Sequence, residues 1–405
     1  MTLASRGSGG AIPILFIAAL LVTAVGCGNG SKVGDNPIAP PGNNVQPISV
    51  NAGPASNSAN GAFTSVKVCV PGSTTECQTI NGVLVDTGSS GLRVLASALT
   101  LALPQQVSGT TPIAECNQFQ DGFTWGPIKA ADIIIAGEKA NSVPMQVIGD
   151  PAFPTVPTPC KNAGIPSEDT LATLGANGVL GVGPFVQDCG PGCASTANNV
   201  GLYYACPSSG CIQTAEPLSA QVQNPVAFFP TDNNGVIIEL PAIPAAGAPT
   251  VSGSLVFGIG TQSNNGLSNA TVLGVDPSNA TFTTVFKNIS YGAFIDSGSN
   301  GLFFLDSAST ALSVCTDNSS FYCPPNTRSF SATNQGTNGT SSNVSFNIAN
   351  ADTLFSNLAA TAFNNLGGPN PNQFDWGMPF FYGRNVFTAI EGQNTPAGPG
   401  PYFAY

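Results

Sequence analysis

The chain has 405 residues, enough for more than one compact lobe, and only 8% of them are charged, against 47 Gly and 34 Pro. Its 10 basic and 21 acidic side chains give a net charge of -11, with no histidine at all. That balance excludes a nucleic-acid binder built on a basic patch, and the missing imidazole excludes Ser-His-Asp and Cys-His nucleophiles and every His-ligated metal.

In chain order, the first feature is Arg6 followed by an apolar run over residues 11–25. The run is too short to span a bilayer comfortably and predicts a secretory signal peptide over residues 1–26. Ala24-Val25-Gly26-Cys27 is similar to the lipobox of bacterial lipoproteins, which implies that Cys27 is lipidated and anchors the chain to a membrane. The alternative is an ordinary signal peptide cut elsewhere. Residues 27–60 are rich in Gly, Pro, Asn and Ser and lack periodicity, so a flexible tether is expected there. Gly28, rather than Asp, follows the Cys, as in lipoproteins sent on to the outer membrane; the expected address is its periplasmic face.

Beyond residue 60 the chain is apolar, β-branched and punctuated by Gly and Pro, with almost no charged helical faces, and this predicts an all-β fold. Setting Cys27 aside from eleven cysteines leaves an even number, which in an exported protein points to disulfides. Cys69 and Cys77 flank a Pro-Gly-Ser turn and could bridge a hairpin; Cys315 and Cys323 could close a loop. Cys189, Cys193, Cys206 and Cys211 loosely mimic a zinc site, but no tight Cys-x-x-Cys is present and the compartment is oxidising.

One pattern occurs twice. Val85-Asp86-Thr87-Gly88-Ser89-Ser90-Gly91-Leu92 matches Ile295-Asp296-Ser297-Gly298-Ser299-Asn300-Gly301-Leu302, each copy entered and left by apolar sequence, so strand, Gly-rich turn, strand is expected. A single Asp-Thr-Gly is an ordinary turn; two copies with Gly-Leu at one offset are not. Two carboxylates brought together cannot both ionise easily. The ionised one can take a proton from a water between them, while the protonated one donates to a substrate carbonyl. The titration belongs to the pair, so the proton is assigned to neither residue. Gly88 and Gly298 allow close backbone approach, Thr87 and Ser297 offer hydroxyls that can lock the loops together, and Ser89 and Ser299 can orient the carboxylates.

These motifs resemble those of the pepsin-type aspartic peptidases, in which two such loops meet across a cleft. Val179-Leu180-Gly181 resembles the element that supports the first Asp loop there. Phe381-Tyr382-Gly383, running into Arg384-Asn385 much as in the retroviral members, is read as its counterpart for the second. Residues 253–258 resemble the strand that opens the second lobe. The resemblance covers residues 61–405 and implies a bilobal fold of two pseudo-symmetric β-barrel-like lobes, here residues 61–225 and 226–405, with a central cleft. The chain also resembles an uncharacterised family of bacterial exported proteins, which supplies no substrate.

In pepsins a Tyr-bearing hairpin flap covers the substrate. The matching stretch is residues 116–135, and its Tyr position falls on Phe119, with Asp121, Phe123 and Trp125 as further candidates; a plain surface hairpin is the alternative. Arg93 replaces the usual Trp, either lining a pocket for acidic or polar substrate groups or neutralising a local carboxylate. Arg384 is expected to be a structural ion-pair partner, Trp376 and Phe380-Phe381 core residues, and the Asn-rich residues 334–343 a flexible loop.

The leading expectation is an endopeptidase with Asp86 and Asp296 as its carboxylate dyad, acting on peptide or unfolded protein as a monomer, with no metal, organic cofactor or nucleic acid involved. The alternative is a non-catalytic lipoprotein that captures peptide or glycan in the same cleft. A Gly/Asn-rich surface protein would show many short repeats, whereas the sequence has one long duplication.

Overall fold

A computed structural model of the chain describes residues 38–161, 164–197 and 199–405. The expected signal peptide, Cys27 and the start of the expected tether lie outside the described residues. The expected all-β fold is what the chain adopts. Among the described residues the longest helix, Ala351–Ser356, has six residues, and barrel-like sheets of strands make up the body.

Two sheets account for nearly all strands. The larger runs from the strand pair at Tyr203–Ala205 and Ile212–Gln213, through the first Asp segment, to Val272–Gly274 in the second half of the chain. The smaller has seven strands, all from residues 282–376, and holds the second Asp segment. The strand Val45–Asn51 lies in the middle of the larger sheet, paired with Gly61–Cys69 on one side and Val251–Phe257 on the other. This corrects the tether expected over residues 27–60. Val45, Ile48 and Val50 are buried, and the backbone of this strand joins the two halves. Asn60 is buried too, donating to the carbonyls of Asn300 and Phe363 at 2.8 and 2.9 Å. The Asn-rich tract is likewise ordered: strands Arg328–Gln335 and Ser341–Ile348 pair along their full length, and only residues 336–340 turn between them.

The duplication is structural as well as sequential. Cys77–Asp86 runs parallel to Gly178–Val182, which in turn runs antiparallel to Ser90–Leu95. In the second half Ile289–Ile295 runs parallel to Asn370–Trp376, and that strand runs antiparallel to Leu302–Leu305. Asp86 lies opposite Gly181, and Ile295 opposite Trp376. The support for the second loop is therefore Asp375-Trp376-Gly377, not Phe381-Tyr382-Gly383. A Cβ on Gly377 would lie 2.7 Å from the Ser299 carbonyl, just as one on Gly181 would lie 2.7 Å from the Ser90 nitrogen, so each loop folds directly against a glycine. Phe381 and Tyr382 follow a short helical turn and are buried; the Tyr382 hydroxyl donates to Asn60 at 2.8 Å.

One hydrophobic cluster takes in residues of both halves, among them Val85, Leu92, Leu180, Ile295, Leu302 and Trp376. The second half fills its interior with rings: Phe304 meets Phe286, Phe330, Phe346, Phe374 and Tyr322, mostly edge-on, the geometry that the ring quadrupoles favour. Trp376, Phe380 and Phe381 belong to this core. Among the described residues Arg384 meets no acid: it donates to the Phe380 carbonyl at 2.6 Å and lies 4.5 Å from the centre of that ring, in place of the expected ion pair. Disulfides join Cys69–Cys77, Cys116–Cys160, Cys189–Cys193, Cys206–Cys211 and Cys315–Cys323. Two of these consume the four cysteines that mimic a zinc site.

Candidate active site

Each Asp stands where an apolar strand ends and the chain must turn. Val85 is paired with Leu180 and Ile295 with Trp376, and the Asp after each lines the cavity between the halves. There the two loops clasp. Ser297 N–H donates to Thr87 Oγ1 at 2.9 Å, and Thr87 N–H donates to Ser297 Oγ at 3.1 Å. Each hydroxyl in turn donates to the strand below the opposite loop, Ser297 to the Val85 carbonyl at 2.9 Å and Thr87 to the Ile295 carbonyl at 3.3 Å. Thr87 and Ser297 are buried, so these bonds form away from competing water.

The carboxyls are held in matching ways. Gly88 N–H donates to Asp86 Oδ1 and Gly298 N–H to Asp296 Oδ1, both at 2.7 Å. The outer oxygens accept from Ser89 in one loop and from Ser299, at 2.8 Å, in the other. The two carboxyls lie within hydrogen-bonding reach of each other. Both glycines are required by this closeness: a Cβ on Gly88 would lie 2.6 Å from Asp296 Cγ, and one on Gly298 would lie 2.6 Å from Asp86 Oδ1. Burial, and then the charge and hydrogen bond of Asp296, push Asp86 up to about 8, against the pull of Ser89 and Gly88. At neutral pH the pair thus keeps a proton, as two adjoining carboxyls must.

A third carboxyl stands behind the pair. Asp375 occupies the position that Val179 takes in the first half, is 5% exposed, and is driven well above the usual carboxylate range by burial and then by Asp296. The sequence does hold a signal for it, an acid inside the run Phe374-Asp375-Trp376 just before a glycine, but the support element was read farther along the chain.

Over the dyad hangs the hairpin of Thr111–Gln118 and Phe123–Ile135. It turns at residues 119–122, where Phe119 N–H donates to the Gly122 carbonyl at 2.7 Å. Phe119 lies against Leu84 and Val179 and lines a small cavity of about 60 Å³ with Asp86 and Asp296. Asp121 lines an adjoining cavity of about 350 Å³ that runs toward Asp375. Phe123 and Trp125 do not face the cleft. They are buried with Cys116, Cys160 and Tyr204 on the hairpin's far side, and the Trp125 indole donates to the Phe153 carbonyl at 3.0 Å. The hairpin is braced as well as folded: Tyr203–Ala205 pairs with its first strand, Cys116 is bonded to Cys160, and Glu168 N–H donates to the Phe123 carbonyl at 2.8 Å.

Arg93 is not a pocket residue. It is 0% exposed and ion-pairs with Glu115 and Asp188, each at 2.8 Å, so of its two expected roles it takes the neutralising one. Tyr203 donates to Asp188 at 2.7 Å, and this cluster ties the strand after the first Asp loop to the hairpin. Among the described residues the one group with metal-ligand spacing, Cys315, Cys323 and Asp352, has both its sulfurs in a disulfide.

A family model described as "Protein of unknown function (DUF3443)" matches residues 40–405. No curated protein matches the chain. Among solved structures, an aspartic proteinase from Irpex lacteus is similar at 14% identity, with a TM-score of 0.49 over 89% of this chain and 96% of that one.

Proposed function

The chain belongs to the DUF3443 family, whose function is unknown, and from the geometry of its own site we propose that it is an aspartic-type endopeptidase. One observation carries the proposal: two carboxyls brought together by reciprocal Thr87–Ser297 bonds, so close that a Cβ on either loop glycine would strike the opposite carboxyl. A peptide would lie extended across the cleft under Phe119, pairing with exposed backbone as an added strand. The ionised member of the pair takes a proton from water, whose oxygen bonds to the scissile carbonyl carbon. The protonated member donates to the carbonyl oxygen, leaving a neutral gem-diol. The carboxyl that took the water's proton passes it to the leaving nitrogen, while a gem-diol hydroxyl gives its proton to the other carboxylate. The C–N bond breaks, an acid and an amine leave, and the pair is again singly protonated. Such chemistry needs no enzyme–substrate bond.

The test is cleavage of unfolded protein by the purified chain from acidic to alkaline pH. Asp86→Asn and Asp296→Asn should each lower kcat by about 10³-fold, within the range for loss of a general acid or base. Activity should fall as pH rises through about 8, where the retained proton is lost. Cleavage that survives either substitution would sink the mechanism.

The braced hairpin favours a second reading, a rigid cleft that holds peptide or glycan without cutting it. A binding protein would keep its ligand in both Asn variants and cleave nothing as wild type. Export with a lipid on Cys27 belongs to the same proposal under either reading. The five disulfides support an oxidising compartment.

A further inference from the structure

Beside the dyad, on the Asp296 side, the larger cavity of about 350 Å³ opens between the hairpin tip and the second half. Its lining is of one electrical kind. Asp121 and Asp375 supply carboxyls, Gln120, Ser319 and Asn370 supply neutral polar groups, and among the described residues neither lysine nor arginine lines it. Phe303 contributes a ring.

Asp375 is the unusual member. The equivalent place in the first half holds Val179, in the hydrophobic cluster beneath Phe119, so the architecture needs no acid there. Asp375 is 5% exposed, and among the described residues its Oδ1 has no hydrogen-bond partner. The carboxyl also interacts with Ser299, but that hydroxyl's single proton already goes to Asp296. A buried carboxyl oxygen left without a donor is costly, and its persistence in a cavity wall is accounted for by a donor that arrives from outside.

We infer that this cavity is a specificity pocket for a cationic side chain, and that the substrate is a peptide bearing Lys or Arg next to the bond cut, with Asp375 as the residue that reads the charge. The inference rests on the peptidase reading above. The aliphatic stem of such a side chain packs on Phe303, and its charged head supplies donors to Asp375 while facing Asp121 at the rim. In the empty pocket burial and Asp296 hold Asp375 protonated; an incoming cation favours its ionised form, so the pocket is better satisfied occupied than empty. The acidic balance of the whole chain draws the same class of substrate toward the cleft.

The experiment uses peptides identical except for one residue flanking the bond: Lys, Arg, norleucine or Glu. Wild type should favour Lys or Arg over norleucine by about tenfold or more in kcat/KM, the worth of one charge-assisted hydrogen bond, and should cut the Glu peptide least. Asp375→Val, which copies the first half, should collapse that ratio toward one, and isosteric Asp375→Asn should do so if the valine variant fails to fold. Asp375→Lys should turn the preference toward Glu. Binding of the same peptides to the Asp86→Asn protein separates this inference from the catalytic one. If wild type cuts nothing, a cation preference in binding that Asp375→Asn abolishes still supports the pocket. No preference for Lys or Arg in either assay, or one that persists without Asp375, overturns it.

Discussion

At the scale of the residue, the site concentrates carboxyls that the rest of the molecule would gain by losing. The native protein holds Asp86 at about 8, against 3.8 for an exposed aspartate, because burial and Asp296 oppose its ionisation. A group raised in the folded state contributes its full stability below the unfolded pKa and loses it as pH rises through the folded one. Between about pH 4 and pH 8 the native state thus binds a proton that the unfolded chain has released, and stability falls across that window. Asp86→Asn removes the dependence: its thermal midpoint should match wild type near pH 4 and exceed it near pH 8. Parallel melting curves across that range would show that Asp86 titrates normally. The residue types at the dyad were legible in the sequence because the motif repeats. Asp375 left only a faint signal, an acid inside an apolar run before a glycine, and the register of the strand is what reveals its place behind the dyad.

At the scale of the element, the hairpin over the dyad has less freedom than a flap joined only at its base. Its first strand is paired with Tyr203–Ala205 and bonded through Cys116 to Cys160, and the Arg93 cluster holds it from beneath through Glu115. Replacing Cys116 and Cys160 with alanine should lower stability by up to about 4 kcal/mol by the loop-closure argument. Amide exchange should rise most at residues 113–124 and 203–205. A uniform rise over the molecule would mean that the disulfide secures the fold at large and not the hairpin. Sequence spacing located this hairpin and put Phe119 at its tip. It misjudged Phe123 and Trp125, because side chains alternate across a strand and which face meets the cleft depends on what packs behind. In the same way, spacing from Gly298 fitted Phe381-Tyr382-Gly383, whereas parallel pairing selects Asp375-Trp376-Gly377.

At the scale of the whole molecule, Val45–Asn51 is the strand that makes two halves into one sheet. A chain beginning at residue 38 should fold with the wild-type circular dichroism spectrum and, lacking Cys27, lose the membrane association proposed for the full chain. One beginning at residue 52 would expose two unpaired edges and should aggregate. Wild-type folding of the shorter chain would remove the strand from its joining role. Pro47 and the Asn- and Gly-rich surroundings hid this strand, whose burial comes from partners at residues 61–69 and 251–257 rather than from its own pattern. By itself, then, the sequence determined the all-β class, the disulfide chemistry and the pairing of Asp86 with Asp296, because composition and an internal repeat are local properties that survive without coordinates. Only the tertiary structure decided that Arg93 is buried between two acids, that residues 45–51 join the halves, and that Asp375 stands behind the dyad. Each depends on which distant backbone lies alongside, and that is fixed by packing between segments far apart in the chain.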